Sequence, residues 1–504
     1  MAQLDTSRVP TERTAAPARE EGFVWSAART YALLVLCLAT LIELIDVTIV
    51  NVTLPTMQDD LGFTADSLPW VVNGYLVTFA GFLLLGGRLG DLFGRRRVFL
   101  AGVALFLVAS VASGLATNAT MLIVTRLFQG VTAAFIAPMT LAIIMSIFPE
   151  GLARNRAISM WGAIGGVSGS LGVTIGGLLD SGPGWRWIFF VNIPICLFIL
   201  AIAPRYIPAD RPAHRHHSFD VVGSVVVTGG VGLLSYAISQ TSEHSWSSGR
   251  SIGLLAGAAV LLAYFVVHEL RIAREPLVSL SIFRIRSVAA ANTFSTLGGA
   301  SLFGVFFLVS LRMQQVLHYS PIKTGLMYLP LTGAIMVFAG IAPLLVPRLG
   351  VRYTVAMGSV IAAGGLFLFS RATPTSGVWT SIVLPSIITG GGMAIWYIPM
   401  TIAAVAGVPT SAAGLASGLA TVTRTVGGAI GVAIVASAAA TRTTHLLGSG
   451  HSEAAALSDG FKLGFVIISV IMAAGAVAAV ALFRAEGRGE KFDMAGAAAA
   501  GVGE

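Results

Sequence analysis

The sequence predicts an all-α polytopic membrane protein with fourteen transmembrane helices arranged 6+2+6, and three observations predict it. The 504 residues are 55% hydrophobic and only 11% charged, with a mean hydropathy of +0.84, against about 25% charged for a soluble domain. Apolar runs of span length recur fourteen times, at 30–54, 69–88, 98–117, 120–143, 158–179, 187–204, 219–239, 251–268, 288–311, 325–346, 353–371, 378–401, 414–438 and 461–483. A helical span needs roughly 20 mostly apolar residues, and these runs meet that requirement. Basic residues then sort by side. Of 31 lysines and arginines, 22 fall in the segments on the side of the N-terminus, six in the alternate segments and three within or at the edge of spans. That asymmetry is the positive-inside pattern, so both termini are expected in the cytoplasm.

The halves echo one another. Arg88-Leu-Gly90, after the second run, recurs as Arg348-Leu-Gly350 after the tenth, and the glycine-dense fifth run has a counterpart in the thirteenth. Runs 1–6 therefore match runs 9–14 and leave runs 7 and 8 as an inserted pair. The expected organisation is a cytoplasmic tail over 1–29, a six-helix bundle over 30–204 and an inserted pair with its linkers over 205–287. A second six-helix bundle over 288–483 and a disordered cytoplasmic tail over 484–504 complete it. Six-helix repeats around a midplane site are a transporter architecture. Residues 1–28 are polar with no apolar h-region, so the first span is expected to direct insertion into the cell's inner, cytoplasmic membrane.

The first run carries Glu43 and Asp46 near its middle. Three residues apart on a helix is about 60° of rotation, so both side chains point into one sector. Each ionised carboxylate at mid-bilayer costs about 2.5–3.5 kcal/mol on insertion scales, a load that a plain anchor has no reason to carry twice. Such acids must face a polar cavity, find a cation or hold a proton, and two of them in a low dielectric make a shared, exchangeable proton the expected state. The bland alternative is a structural ion pair. Arg126, inside the fourth run, is always charged and demands a partner. We expect it to face Asp46 and Glu43, with Gln129 completing the polar patch.

Other function classes find little support. The net charge of +8 comes without a basic stripe, so no nucleic-acid partner is indicated. A Gly-x-x-x-x-Gly-Lys-Ser/Thr loop is lacking, so ATP is not the energy source. Cys37 and Cys196 lie inside apolar runs and read as neither disulfide nor metal ligands. His214, His216 and His217 sit among arginines and prolines and read as a solvated basic linker rather than a metal site. No cofactor is expected.

Gly87-Arg-Leu-Gly-Asp-Leu-Phe-Gly-Arg-Arg-Arg97 resembles the signature loop of the major facilitator superfamily. Its glycines Gly87 and Gly94 allow close helix approach and a tight turn, while Asp91 with Arg88, Arg95 and Arg96 supplies a charge clasp suited to gating. Asp46-Val-Thr-Ile-Val-Asn-Val-Thr-Leu-Pro55, Arg126-Leu-Phe-Gln-Gly130, Trp185-Arg-Trp-Ile-Phe-Phe-Val-Asn-Ile-Pro194 and Gly414-Leu-Ala-Ser-Gly418 with Arg424 are similar to stretches of that superfamily's 14-span drug:proton antiporter family. The resemblance implies the major facilitator fold, no enzymatic activity and proton-coupled export of an amphipathic, cationic drug or antibiotic by alternating access. It implies proton coupling through Asp46, Glu43 and Arg126. The antiporter motif of the fifth span, Gly-Pro-x-x-Gly-Gly, reads Gly172-Val-Thr-Ile-Gly176-Gly177 here, with Val173 where proline is expected. Valine restores a backbone hydrogen bond and removes a bend while the glycines still permit packing.

For the substrate cavity, the span-embedded candidates are Tyr75, Gln129, Phe135, Trp161, Trp396, Tyr397 and Arg424, since aromatic faces attract delocalised cations. Most aromatics in spans only face lipid or pack on neighbours. Two other readings stay open: proton symport that takes up a small molecule, and a polytopic enzyme or lipid-binding protein. The latter predicts clustered His, Asp, Glu or Ser at one membrane face.

Overall fold

The structure is a computed structural model that describes residues 25–483 apart from 65, 149–151, 210–219, 241–247, 274–275, 279, 374–375, 406–407 and 409. The side chains of some helical residues, Asp91 among them, also lie outside the description, as do the histidine cluster at 214–217 and both tails. What is described is helical. Helices α1 (Ala27–Leu61), α2 (Trp70–Phe93), α3 (Arg95–Gly114), α4 (Ala119–Ile147) and α5 (Leu152–Ser181) lead into α6 (Trp187–Phe190) and α7 (Asn192–Tyr206). Two further helices, α8 (Val221–Ser239) and α9 (Gly249–Val267), come next, and α9 ends in a π-turn at His268–Ile272. The remainder comprises α10 (Arg286–Leu311), α11 (Pro321–Met327), α12 (Leu329–Arg371), α13 (Leu384–Val405), α14 (Thr410–Gly448) and α15 (Glu453–Leu482).

Among the described residues, thirteen helical stretches are long and apolar enough to cross a bilayer. The fifth predicted run is α5, 30 residues long, of which the apolar part described is Leu171–Ser181. The sixth run is split, α6 turning into α7 at Val191. Runs ten and eleven merge into α12, interrupted only by the non-helical Gly350 (φ 74°). In the first half the corresponding corner is Gly94 (φ 93°), between α2 and α3. Both positions require a residue without a Cβ. The corner, not the Arg-Leu-Gly tripeptide, is therefore the true point of repeat: Gly350 belongs to the tripeptide, whereas Gly94 lies four residues past Gly90.

Packing repeats with the chain. In the first half α1 lies along α5 and α2 along α4; in the second, α10 lies along α14 and α12 along α13. Between halves, α2 meets α14 and α5 meets α11, and α1 also touches α10. Helix α8 packs on both α2 and α14. Small residues set these distances. A Cβ built on Gly427 would strike the carbonyl oxygen of Thr296, and one on Gly299 that of Arg424, so α10 and α14 run backbone to backbone. The span-5 glycines do the same on both sides. Gly172 and Gly176 abut Ile45 O and Ile49 O of α1, at 3.0 and 2.8 Å from an added Cβ, while Gly177 abuts Pro321 of α11. Val173 lies beside them, buried, in an α5 that runs as one helix from Leu152 to Ser181.

Prolines open the other joints. Pro55 inside α1 has no N–H to give to the carbonyl of Asn51, four residues earlier. That oxygen accepts from Ser310 Oγ of α10 at 2.7 Å, and the next, Val52 O, accepts from Gln314 Nε2 at 2.7 Å. The halves are thus tied, at the end away from the arginine-rich segments, through the carbonyl that Pro55 sets free and its neighbour. Pro138 of α4 likewise frees Ala134 O, and Gly86 of α2 is the residue that rests on it.

Gly427→Ala is expected to lower stability by about 1–3 kcal/mol, because the intruding methyl meets backbone that cannot step aside. Gly340→Ala, in open space, should be neutral. Thermal unfolding of the detergent-solubilised variants measures both.

Candidate functional site

α1 brings Asp46 to the centre of the first bundle, where it is fully buried. Arg126 of α4 reaches it across the helix packing, and its Nη1 donates to Asp46 Oδ2. The same nitrogen donates to Gln129 Oε1 at 2.9 Å, and Nε donates to Val71 O of α2 at 2.9 Å. The guanidinium lies 4.6 Å from the centre of the Tyr75 ring, which itself stacks on Phe79. On the other carboxylate oxygen, Gln129 Nε2 donates at 2.8 Å and Asn192 Nδ2, at the start of α7, at 3.3 Å. Asn192 also donates to Ser110 Oγ of α3 at 2.9 Å, and Ser110 to Phe189 O at 2.9 Å. A charge pair in such a place survives only when its remaining lone pairs and protons are satisfied. Here most of them are.

Glu43 is not in this network. Although it shares the helix face, the charges that act on it are Arg424 of α14 and Asp46. Arg126 therefore bonds one of the two acids expected of it, Asp46. Arg424 is steadied by Tyr397 of α13, whose hydroxyl lies 2.7 Å from Nη1 and whose ring lies 5.2 Å from the guanidinium carbon. One face of the junction between halves thus carries an acid from the first bundle and a base with an aromatic from the second.

The remaining cavity candidates divide. Tyr75 and Gln129 are buried parts of the Asp46 network rather than open surface. Trp396 is fully buried within the second bundle, against Phe294 and Gly298, so it is a packing residue. Phe135 is half-buried where α4 passes Gly86 and Gly102. Trp161 of α5 is half-buried and donates to Thr40 Oγ1 of α1 at 2.7 Å. Tyr397, 37% exposed, is the most open of the aromatic candidates. A cavity of about 670 Å³ lies elsewhere, between α2, α4 and α8, lined by Trp70, Val77, Thr78, Leu127, Leu233 and Tyr236. It holds none of the predicted residues.

The predicted gating loop is the α2–α3 corner. Arg95 donates to Ala142 O near the end of α4 at 3.3 Å and Arg96 to Pro204 O near the end of α7 at 2.7 Å, cations placed on helix C-termini. Arg88 donates to Pro276 O of the linker before α10 at 3.1 Å. Gly87 does not make the close approach expected of it: an added Cβ would meet only Pro138 Cβ, at 3.9 Å. Its neighbours Gly86 and Gly90, one facing the α4 backbone and the other Met139, make that contact instead. Sequence reasoning also passed over Asn192 and Ser110. The signal for Asn192 was an amide placed just inside an apolar run, in the very stretch that carried the family resemblance.

The Major Facilitator Superfamily description matches residues 36–432. The chain belongs to the major facilitator superfamily. Membership places it among multi-pass membrane transporters rather than enzymes. It is 37% identical to the cephamycin export protein CmcT of Amycolatopsis lactamdurans, over 90% of this chain and 92% of that one. It is 33% identical to the puromycin resistance protein pur8 of Streptomyces alboniger, over 98% and 97% of the two chains. With the tetracenomycin C resistance and export protein of Streptomyces glaucescens it shares 33% identity over 86% and 82%. Among solved structures, the D-xylose-proton symporter matches with a TM-score of 0.63 at 14% identity over 90% of this chain and 98% of that one. The nucleoside transporter NupG matches at 0.62 and 15%, over 91% and 100%. These two likenesses establish the fold alone.

Arg126→Leu should destabilise the superfamily member by about 3–5 kcal/mol, since it strands a buried carboxylate. Adding Asp46→Leu should recover much of that loss. A double variant no more stable than the single one in thermal unfolding would show that Asp46 is not the group left unpaired.

Proposed function

We propose that this transporter is a proton-coupled exporter of hydrophobic or amphipathic, cationic drugs or antibiotics. In this reading the fourteen spans form bundles over 30–204 and 288–483, with 205–287 as the inserted pair, in the cytoplasmic membrane with both termini inside. The observation that carries it is the division of labour on α1. Asp46 is enclosed by Arg126, Gln129 and Asn192, while Glu43, one turn away and buried, lies outside those bonds and feels the charge of Arg424 from the other bundle. The relatives bear on direction, because proteins similar over most of this chain are named for export of, or resistance to, antibiotics.

The chemistry follows from charge accounting. A carboxylate in this apolar junction requires a counter-charge: a proton, Arg424 or a cationic substrate. Only one can occupy Glu43 fully at a time, so proton and substrate compete, which is the condition for exchange. Tyr397 holds Arg424 aside when the acid is otherwise satisfied. The Asp46 network senses the same event, since the two acids are three residues apart. Rocking of the bundles then presents the acid to each side in turn. The ties at Asn51 and Val52 open on one side, and the α2–α14 seam opens on the other.

Asp46→Asn and Glu43→Gln should each reduce proton-driven export at least about tenfold, equivalent to about 1.4 kcal/mol or more, while leaving membrane insertion intact. A growth-inhibition panel in a pump-deficient host identifies a substrate, and everted vesicles then test coupling. Adding that substrate should release a preset proton gradient in the native chain and not in the variants. Full export by Asp46→Asn removes Asp46 from the mechanism. A gradient untouched by the substrate favours uptake by symport.

A further inference from the structure

A second set of buried ionisable groups lies at the arginine-rich end of the inserted pair. Asp220 caps α8, its Oδ1 accepting from Gly223 N at 2.7 Å and lying 2.7 Å from His268 Nε2, in the π-turn after α9. Glu269 follows, and its Oε2 accepts from Val278 N at 3.0 Å. Asp220, His268 and Glu269 are 9, 7 and 5% exposed. Their remaining oxygens, Asp220 Oδ2 and Glu269 Oε1, have no donor. Both press on Gly223, where an added Cβ would stand 2.5 and 2.9 Å from them, so the two carboxyl groups converge on one glycine. Two acceptors facing each other in a buried place lack one thing, a proton between them. Among the described residues no three such side chains are arranged to hold a metal ion.

The chain that Glu269 grips is a strap. Pro276 O accepts from Arg88 of α2. Leu277 and Val278 join Leu85 of α2, Val288 of α10, and Ala416 and Leu419 of α14 in one buried cluster. The strap therefore lies across the seam between the two halves, at the end where α2 meets α14. The opposite end is tied instead by direct bonds between α1 and α10.

We propose that Asp220 and Glu269 share one proton, forming a second proton-binding site apart from Asp46 and Glu43, and that its occupancy decides whether the strap is held across the seam. With the proton in place, Glu269 stays against Asp220 and keeps its Oε2 on the Val278 amide. Without it, two like charges face each other beside Gly223, and Glu269 swings away and releases the strap. The groups facing this pair are Tyr264 and His268 from α9 and its π-turn, and Arg88 of α2 through the strap. The packed neighbours from α10 and α14 in the cluster are apolar. The inference rests on the reading that the halves rock about this seam, and not on what is exported.

The test uses the full chain in liposomes, with Cys37 and Cys196 replaced by alanine and a single cysteine at Leu277. Maleimide labelling is scored against a reference cysteine at the exposed Phe93, which cancels the intrinsic pH dependence of a thiol. The ratio should rise about fivefold or more between about pH 6 and about pH 9. In Glu269→Gln, whose amide supplies the missing donor permanently, the ratio should stay low and flat; Asp220→Asn should behave alike. In the infrared spectrum a protonated-carboxyl C=O band present near neutral pH should disappear in Glu269→Gln and persist in Asp46→Asn with Glu43→Gln. A flat ratio in the native chain, the same pH response in Glu269→Gln, or an unchanged band each overturns the proposal. Labelling needs no substrate, so a failed export assay would leave the labelling result standing.

Discussion

A guanidinium buried in an apolar bundle is the constraint on which the first half depends. Arg126 cannot shed its charge, and its donors can be satisfied only if several helices converge on it. Asp46 comes from α1, the Val71 carbonyl and the Tyr75 ring from α2, and Gln129 from its own helix. Asn192 and Ser110 carry the network on to α7 and α3. In a bilayer no hydrophobic drive pulls helices together, because lipid is as apolar as leucine. A polar knot of this kind supplies the specificity that burial supplies in water. Glu43, buried one turn away, lies outside this knot.

The joints between helices show a matching economy. Contacts that must persist are made backbone to backbone through glycine, as between Gly427 and Thr296 or Gly172 and α1. Several contacts between halves are made to single carbonyl oxygens instead, and two of these sit where Pro55 interrupts the ladder of α1. A carbonyl freed by proline needs some donor, but any donor serves, whether Ser310 or water. Such a bond can be exchanged during opening at little net loss, since a hydrogen bond traded for a hydrogen bond contributes only about 0.5–1.5 kcal/mol. Glycine seams resist sliding apart, and proline-freed carbonyls permit it.

Most spans were legible in the sequence because hydropathy acts on whole segments. The meeting of Asp46 with Arg126 was legible for a related reason: a charge in oil must have a counter-charge, and few were on offer. What stayed hidden is rotational. A span that is apolar all round carries little information about which face turns inward, so both acids were assigned to Arg126 while its bond goes to Asp46. The same ignorance placed Trp396 and Tyr75 on a cavity, whereas one packs against Gly298 and the other lies under Arg126. It credited Gly87 with an approach that Gly86 and Gly90 make. Neutral partners were hidden too. Asn192 and Ser110 cost little to place in a span, so nothing in their composition demanded an explanation.

The inserted pair poses a mechanical question that a six-plus-six arrangement does not. α8 packs on both α2 and α14, so any rocking at that seam must slide across it. The strap at 276–278, described between the pair and α10, packs at the same seam. An inert connector would need only length; this one is held by Arg88, by Glu269 and by an apolar cluster drawn from both sides. Each hold is reversible by a different event: a shift of α2, a change of charge at Asp220 and Glu269, or a parting of α2 from α14. Because the three share one short segment, releasing any one weakens the others. On the shared proton proposed above, the pair would couple the seam to its own buried acids, and a connector would become a control element through the placement of two carboxyl oxygens beside a glycine.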